Sequence, residues 1–204
     1  MRIPRRGGGG GGGGPVDWLI VGLGNPGAEY KGSPHNIGFE VAERLNERWG
    51  LGRPKAKYRG LLSQGRIEAV PAHPRVAILM PQTYMNEAGQ SVSPARGELK
   101  VDLDHVLVVH DEIDLPFGDI RPRLGGGLAG HNGLKSLKAS LGSPDFRRVR
   151  IGVGRPPTTD PDRVAAYVLG KFREPKADVE ALIDAGADAA QRVIEDTSEE
   201  ARES

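Results

Sequence analysis

Cysteine is absent from the sequence, and long apolar runs are absent as well. Without cysteine, disulfide bonds, thiolate metal ligands and cysteine nucleophiles are all excluded. No apolar segment approaches the roughly 18 residues that a membrane-spanning helix requires. The patterns of a P-loop, of H-E-x-x-H and of G-x-S-x-G are also missing, so a zinc hydrolase or a serine nucleophile has no support in the sequence. The 204 residues suit one α/β domain with a sizeable core.

Charge is nearly balanced overall, but it is unevenly distributed along the chain. The formal net charge is +1, yet residues 121–155 carry eight lysines and arginines against one aspartate. Residues 174–204 carry ten acidic residues against three basic ones. A local basic face on a nearly neutral protein indicates a polyanionic partner.

The two ends of the chain differ in composition from the middle. Residues 1–15 contain three arginines followed by eight glycines and lack the apolar core of a signal peptide, so we expect a disordered Arg/Gly-rich segment. A basic arm that touches nucleic acid is the alternative interpretation of this segment. Residues 196–204 are predicted to form an acidic disordered tail. The folded domain is therefore expected to span residues 16–195.

Apolar runs alternate with helical periodicity through the predicted domain. Strands are expected at residues 18–21, 58–70, 75–80, 105–110, 119–124 and 147–153. Helices are expected at residues 34–49, 83–99, 132–141, 161–170 and 175–195. Thr83 is the expected cap of the second helix, and the interior Pro94 should kink or divide it. This alternation predicts an α/β fold, a single domain with a mixed, mostly parallel twisted sheet and helices on both faces.

Residues 22–36, GLGNPGAEYKGSPHN, form the most informative stretch because they follow the first strand. Ser33 and Pro34 are typical of an N-cap and a first helical residue, which places His35 in the first helical turn. Open α/β sheets bind ligands at such carboxyl ends of strands. Residues 22–27 also match the dinucleotide fingerprint G-x-G-x-x-G, but the helix begins about seven residues too late to receive a pyrophosphate. An oxidoreductase, which would need bound NAD or FAD, is therefore disfavoured.

His35 and Asp111 are the candidate acid–base pair. Asp111 ends another buried strand, and adjacent parallel strands would bring the two residues together. An aspartate that accepts one imidazole N–H leaves the other nitrogen to take a proton from water. Taken alone, His35 would more often be a capping or surface residue than a catalytic one, and Asp111 would be a loop residue or a cap. Asn25, Asn86 and Asn132 lie in turns or helix starts, where asparagine is also common for local reasons.

Five motifs occur together and in a fixed order. They are GLGNPGAEY at residues 22–30, H-N-x-G-F at 35–39, PQTYMN at 81–86, HDEIDLP at 110–116 and GGGLAGHNGL at 125–134. Their combination, from about Trp18 to Lys171, resembles the bacterial peptidyl-tRNA hydrolase family. The resemblance implies a monomeric, cytoplasmic esterase that needs no metal or organic cofactor. Such enzymes hydrolyse the ester between a peptide and the terminal ribose of tRNA, and they recycle peptidyl-tRNA released from ribosomes.

The resemblance also implies a role for individual residues. His35 would be the general base and Asp111 its partner. Substrate-binding residues would be Asn25, Tyr30, Tyr84, Met85, Asn86 and Asn132. The tRNA 5′-phosphate would be bound by Arg123 and Arg150, and the partner would be the acceptor stem and terminal adenosine of peptidyl-tRNA.

Two positions depart from the pattern of the family. Pro34 stands where relatives often have arginine, and Leu128 stands where some relatives have histidine. The first departure removes any role for an arginine there, and the second changes the polarity of the glycine-rich loop. A catalytically silent RNA-binding module on the same fold is the alternative function, because a fold does not guarantee chemistry. The intact His35 and Asp111 argue against that alternative.

Overall fold

A seven-stranded mixed sheet lies at the centre of the molecule, which a computed structural model describes from residue 15 to residue 203. Residues 1–14 and Ser204 lie outside the described residues, and the prediction for residues 1–15 therefore falls almost entirely outside them. The strands are β1 Trp18–Gly22, β2 Lys55–Lys57, β3 Gly60–Arg66, β4 Arg75–Pro81, β5 Val106–Glu112, β6 Ile120–Leu124 and β7 Arg147–Gly152. They lie in the order β2-β3-β4-β1-β5-β7-β6. The four central strands β4, β1, β5 and β7 are parallel, whereas the outer ladders are antiparallel.

Helices cover both faces of this sheet. They are α1 Ile37–Arg48, α2 Gly89–Leu99, α3 Asn132–Leu141, α4 Pro161–Leu169 and α5 Lys176–Glu203. α1 and α5 share one apolar core with the sheet, and α2 and α3 share the other. The predicted fold class, a single α/β domain with a mixed sheet between two helical layers, is confirmed. None of the helices within residues 15–203 combines the length and the apolar character needed to cross a membrane.

Strand β1 supplies both cores because its side chains alternate between the two faces of the sheet. Ile20 points into the core beneath α1 and α5, whereas Leu19 and Val21 point into the core beneath α2 and α3. All five residues of β1 are buried, as expected for a central parallel strand that is covered on both sides.

Helix α1 packs unusually close to the sheet at Gly38. A Cβ at this position would lie 2.4 Å from the carbonyl oxygen of Val109 and 2.5 Å from the backbone of Leu23, so only glycine fits. The close approach places the short 3₁₀ turn Pro34–Asn36, which precedes α1, beside the carboxyl ends of β1 and β5. The helix thereby positions His35 at the edge of the sheet where ligands bind in such folds.

The predicted helix caps at Ser33 and Thr83 are wrong. Ser33 precedes the 3₁₀ turn, α1 begins only at Ile37, and neither Ser33 Oγ nor Thr83 Oγ1 has a hydrogen-bond partner among the described residues. The second helix likewise begins at Gly89, after a separate 3₁₀ turn. α2 then continues through Pro94 without division.

Residues 196–203, within the segment expected to be an acidic disordered tail, belong to helix α5 in the structure. α5 continues to Glu203, because Ile194 is still buried against the sheet and no glycine or proline interrupts the last turns. Thr197 Oγ1 donates to the carbonyl of Val193 at 2.8 Å, and Ser198 Oγ donates to the carbonyl of Ile194 at 2.7 Å. These short polar side chains bond to their own helix, which is compatible with the helical conformation.

Candidate active site

A cavity of about 620 Å³ opens at the carboxyl ends of β1 and β5. β1 lies between β4 and β5, so the chain crosses from one side of β1 to the other at this point, where open α/β sheets form binding crevices. The cavity is lined by all eight residues that the sequence predicts for catalysis or substrate binding: Asn25, Tyr30, His35, Tyr84, Met85, Asn86, Asp111 and Asn132. Arg123 and Arg150, the predicted phosphate-binding residues, do not line it.

Asp111 is the buried centre of the site, with a side chain that is 3% exposed. Its carboxylate accepts hydrogen bonds from two histidines. His35 Nδ1 lies 2.9 Å from both carboxylate oxygens, and His131 Nε2 lies 2.8 Å from Oδ1. Burial acts to raise the pKa of Asp111, but the two histidines and their hydrogen bonds lower that pKa by more, to well below its usual range. Asp111 is therefore an ionised carboxylate that only accepts hydrogen bonds.

His131 has its tautomer set by the start of helix α3. Its Nδ1 accepts hydrogen bonds from the backbone N–H groups of Gly133 at 3.1 Å and Leu134 at 3.3 Å, so this histidine is the N-cap of α3. The proton of a neutral ring then lies on Nε2, which donates to Asp111. His131 was not among the predicted site residues. The one signal in the sequence was its position directly before Asn132, at the start of a predicted helix.

His35 takes the complementary orientation. Because a carboxylate can only accept, His35 Nδ1 carries the proton and donates to Asp111, which leaves Nε2 as a proton acceptor. The side chain lines the cavity and is 13% exposed. Burial acts to lower the pKa of His35, but the charge of Asp111 and its hydrogen bond outweigh burial and raise the pKa above the ordinary value.

Asn25 is held by an exchange of hydrogen bonds with Asn36, a residue that the sequence-based prediction also missed. The backbone N–H of Asn25 donates to Asn36 Oδ1 at 2.8 Å, and Asn36 Nδ2 donates to the carbonyl of Asn25 at 2.9 Å. Asn25 Oδ1 in turn accepts from the backbone N–H of Met85 at 2.7 Å. The amide oxygen of Asn25 is thus occupied, and its NH₂ group remains available at the cavity. The position of Asn36 directly after His35 was the signal in the sequence.

A third histidine, His110, lies behind the site and is 1% exposed. Its Nδ1 donates to the backbone carbonyl of Asp111 at 2.7 Å, and its ring contacts the ring of His131 edge-on at a centroid distance of 5.0 Å. Burial, with a smaller effect of His131, lowers the pKa of His110 to about 3. His110 is therefore neutral and supports the end of β5.

The rest of the cavity wall differs in polarity from one side to the other. Helix α4 contributes an apolar side with Val164, Val168 and Leu169. Tyr84 also lines the cavity and is 60% exposed, which makes it one of the most exposed large apolar side chains among the described residues. An aromatic ring with a free face beside a cavity is suited to stacking on a planar group.

The two predicted phosphate-binding arginines lie on one face of neighbouring strands. In the register of β6 and β7, Arg123 lies opposite Arg148, and Arg121 lies opposite Arg150. Arg123 is exposed, and Arg150 Nε donates to the carbonyl of Arg121 at 3.3 Å. Arg121, Arg123 and Arg150 form a cationic surface next to the glycine-rich loop, residues 125–131, which leads into the cavity at His131, whereas Arg148 is buried beneath it.

The cluster of His35, Asp111 and His131 has the spacing of a metal site, since its ligand atoms lie within 4.8 Å of one another. The hydrogen bonds argue for proton chemistry instead. A metal on His131 Nε2 would move the ring proton to Nδ1, where it would face the N–H groups of Gly133 and Leu134. The donor set therefore fits a neutral ring that donates to a carboxylate better than it fits a ligated one.

Residues 19–204 match the family model described as Peptidyl-tRNA hydrolase. The chain is 43% identical over 174 residues to the peptidyl-tRNA hydrolase of Halalkalibacterium halodurans, covering 85% of this chain and 91% of that one. It is 47% identical over 174 residues to the peptidyl-tRNA hydrolase of Parvibaculum lavamentivorans, covering 84% and 82%. Among solved structures, peptidyl-tRNA hydrolase from Acinetobacter baumannii is similar with a TM-score of 0.75 and 39% identity, covering 89% of this chain and 88% of that one.

Proposed function

The chain belongs to the peptidyl-tRNA hydrolase family, and we propose that it hydrolyses peptidyl-tRNA with His35 as a general base on water and without a metal ion. The observation that carries this proposal is the hydrogen bond from His35 Nδ1 to the buried carboxylate of Asp111 at 2.9 Å. It leaves His35 Nε2, at the cavity, as the acceptor for a proton from water.

The reaction begins when His35 Nε2 removes a proton from a water molecule that attacks the ester carbonyl. The imidazolium that forms is stabilised by the negative charge of Asp111, which its second partner His131 keeps in place. The tetrahedral intermediate then collapses, and the C–O bond to the terminal ribose breaks. His35 returns its proton to the ribose oxygen, and the products are a peptide carboxylic acid and a tRNA with a free hydroxyl.

Amide groups around the cavity supply the hydrogen bonds that this reaction needs. The NH₂ group of Asn25 can donate to a carbonyl or to the ribose, because its own oxygen is occupied by Met85. Asn86 and Asn132 line the same cavity and are both exposed to it. In our proposal Asn86 holds the peptide backbone and Asn132 positions water and substrate, while Tyr30, Tyr84 and Met85 complete the substrate contacts. Preorganised donors of this kind stabilise a developing oxyanion without a metal.

The tRNA body is bound outside the cavity. We propose that Arg123 and Arg150 bind the 5′-phosphate of the acceptor stem, since both lie on the cationic face of β6 and β7. Arginine suits this task because its planar group donates two parallel hydrogen bonds to a phosphate. We also propose that the enzyme acts as a monomer in the cytoplasm, where ribosomes release its substrate. Sedimentation of the protein at assay concentration tests the monomeric state.

The decisive experiment measures release of deacylated tRNA from an N-blocked aminoacyl-tRNA in the presence of a chelator. The wild-type protein should release tRNA at the same rate with and without chelator. The His35→Ala variant should release almost no tRNA under either condition. Activity that disappears with chelator and returns with zinc would contradict a metal-free mechanism. Binding of tRNA without any hydrolysis would favour the alternative of an RNA-binding module.

A further inference from the structure

Arg148 is a buried arginine that lies outside the catalytic group. It is 1% exposed, although it stands in β7 between two arginines that are more accessible to solvent, Arg147 and Arg150. Its Nη1 donates to the carbonyl of Gly127 at 2.6 Å, and its Nη2 donates to the carbonyl of Gly126 at 2.7 Å. The guanidinium therefore grips two successive carbonyls of the glycine-rich loop with its planar fork.

The loop that Arg148 holds has an irregular backbone. Gly125, Gly126, Ala129 and Gly130 all have positive φ angles, at 65°, 96°, 48° and 73°. Backbone hydrogen bonds fix its two ends, from Gly125 N–H to Phe146 and from His131 N–H to Leu128. The stretch between these ends, Gly126 and Gly127, is where Arg148 binds. A loop of this composition has many alternative conformations when it is not held.

Both ends of the loop meet groups that we assign to the reaction. Near its first end, a Cβ on Gly126 would lie 2.3 Å from the guanidinium carbon of Arg123, so the Arg123 side chain packs directly against the loop backbone. At the other end, His131 donates to Asp111 at 2.8 Å, and the next residue, Asn132, lines the cavity. A displacement of the loop would therefore move groups on both the phosphate side and the catalytic side.

We propose, on the basis of the function proposed above, that Arg148 is a positioning residue of this enzyme. Its fork holds the glycine-rich loop so that His131 and Asn132 face the cavity while Arg123 faces the phosphate. Arg148 itself touches neither the substrate nor the reacting atoms.

The surroundings of Arg148 make a purely stabilising role a poor explanation. Burial, followed by the positive charges of Arg123 and Arg150, lowers the pKa of Arg148, so its cation lies in an unfavourable place. Its Nε also has no hydrogen-bond partner among the described residues. A buried cation with an unpaired donor is weak as a source of stability. The same group is well suited to fixing two carbonyls at a defined angle, which lysine cannot do.

The test compares Arg148→Lys and Arg148→Met with the control Arg147→Met. Arg147 is the neighbouring arginine, it donates to the carbonyl of Asp104, and it has no part in the proposed site. The kcat and KM are measured on peptidyl-tRNA with and without the 5′-phosphate, well below the unfolding midpoint of each variant. We expect both Arg148 variants to lower kcat by about 10²-fold on both substrates, because small displacements of catalytic groups have effects of this size. The control should leave kcat unchanged.

A second measurement separates positioning from general stability. The ¹⁵N signals of the His131 ring report its tautomer, and they should show Nε2–H in the wild type and a changed or averaged state in folded Arg148→Lys. The proposal is overturned if Arg148→Lys has wild-type kcat, because a positive charge without the two guanidinium hydrogen bonds would then be enough to hold the loop. It is also overturned if the variants lower only the unfolding temperature and leave kcat and the His131 signals as in the wild type. A wild-type protein that releases no tRNA would instead contradict the function proposed above.

Discussion

Asp111 Oδ1 accepts a hydrogen bond from His131 Nε2 over 2.8 Å, while the opposite nitrogen of the same ring caps helix α3. The capping bonds keep His131 in the tautomer that donates to Asp111, because its Nδ1 already accepts from the backbone of the helix. His131 therefore supports Asp111 through its Nε2–H, and it has no ring nitrogen left to act as a base beside His35. Two histidines share one carboxylate, and the helix start makes them inequivalent.

The general base is tested by removal of its side chain. His35→Ala should lower kcat by at least about 10²-fold, the low end of general-base contributions, with little change in stability. Asp111→Ala should lower kcat less, because water can partly orient the ring, and the double variant should be non-additive. The exposed His73, replaced by asparagine, serves as a control that should keep full activity. Wild-type turnover in His35→Ala would remove this residue from the mechanism.

The pH dependence follows from the direction of the His35 pKa. His35 acts only when neutral, and its pKa is raised above the ordinary value of 6.5, so kcat/KM should rise with pH through an apparent pKa above that value. In Asp111→Asn the carboxylate that raises the pKa is gone and burial alone remains, so the rising limb should move to lower pH while the plateau falls. The exposed Asp104, changed to Asn, should leave the limb in place. A limb that does not move in Asp111→Asn would show that another group titrates.

His131 can be separated into its two roles by a pair of variants. His131→Asn keeps a good N-cap for α3 but is too short to reach Asp111, so the unfolding temperature should stay close to that of the wild type. The kcat should nevertheless fall by roughly 10- to 150-fold, since a hydrogen bond to a charged group contributes about 1.5–3 kcal/mol. His131→Ala should show the same loss of kcat and a further loss of about 1 kcal/mol in stability. An asparagine variant with wild-type kcat would reduce His131 to a helix cap.

The phosphate-binding arginines are tested by a double cycle on the substrate. Arg123→Ala and Arg150→Ala remove contacts far from the ester, so they should raise KM more than they lower kcat. Each charge-assisted contact contributes about 1.5–3 kcal/mol, or roughly 10- to 150-fold in KM, and its loss should also flatten the salt dependence of binding. Both mutations should have much smaller effects on peptidyl-tRNA without its 5′-phosphate, and Arg147→Ala should have none on either substrate. If the mutations raise KM equally on both substrates, the arginines would act only through the general positive charge of this face and would not bind the 5′-phosphate.

The sequence by itself was sufficient for most local elements and for the order of the motifs, although the strand predicted at residues 58–70 is confined to β3, Gly60–Arg66, and the short strand β2 before it was not predicted. The apolar runs of β1, β4 and β5 and the helix Asn132–Leu141 lie where their patterns predicted them, because side-chain periodicity and turn residues act over a few positions. The same local patterns placed His35 and Asp111 at the ends of strands. They failed at the caps Ser33 and Thr83, where a separate 3₁₀ turn precedes each α-helix and neither hydroxyl bonds to a helix start among the described residues.

Only the tertiary structure decided which groups share a partner. Nothing in the spacing of the chain distinguishes His131 from the other histidines. The register of β1 and β5 and the close packing at Gly38 bring His35 to Asp111, and the start of α3 brings His131 to the same carboxylate. The burial of Arg148 is decided in the same way, by the strands and the loop around it. Hydrogen bonds between residues that are distant in the chain, and the burial of their side chains, depend on how the whole sheet is assembled. A local sequence pattern therefore cannot predict them.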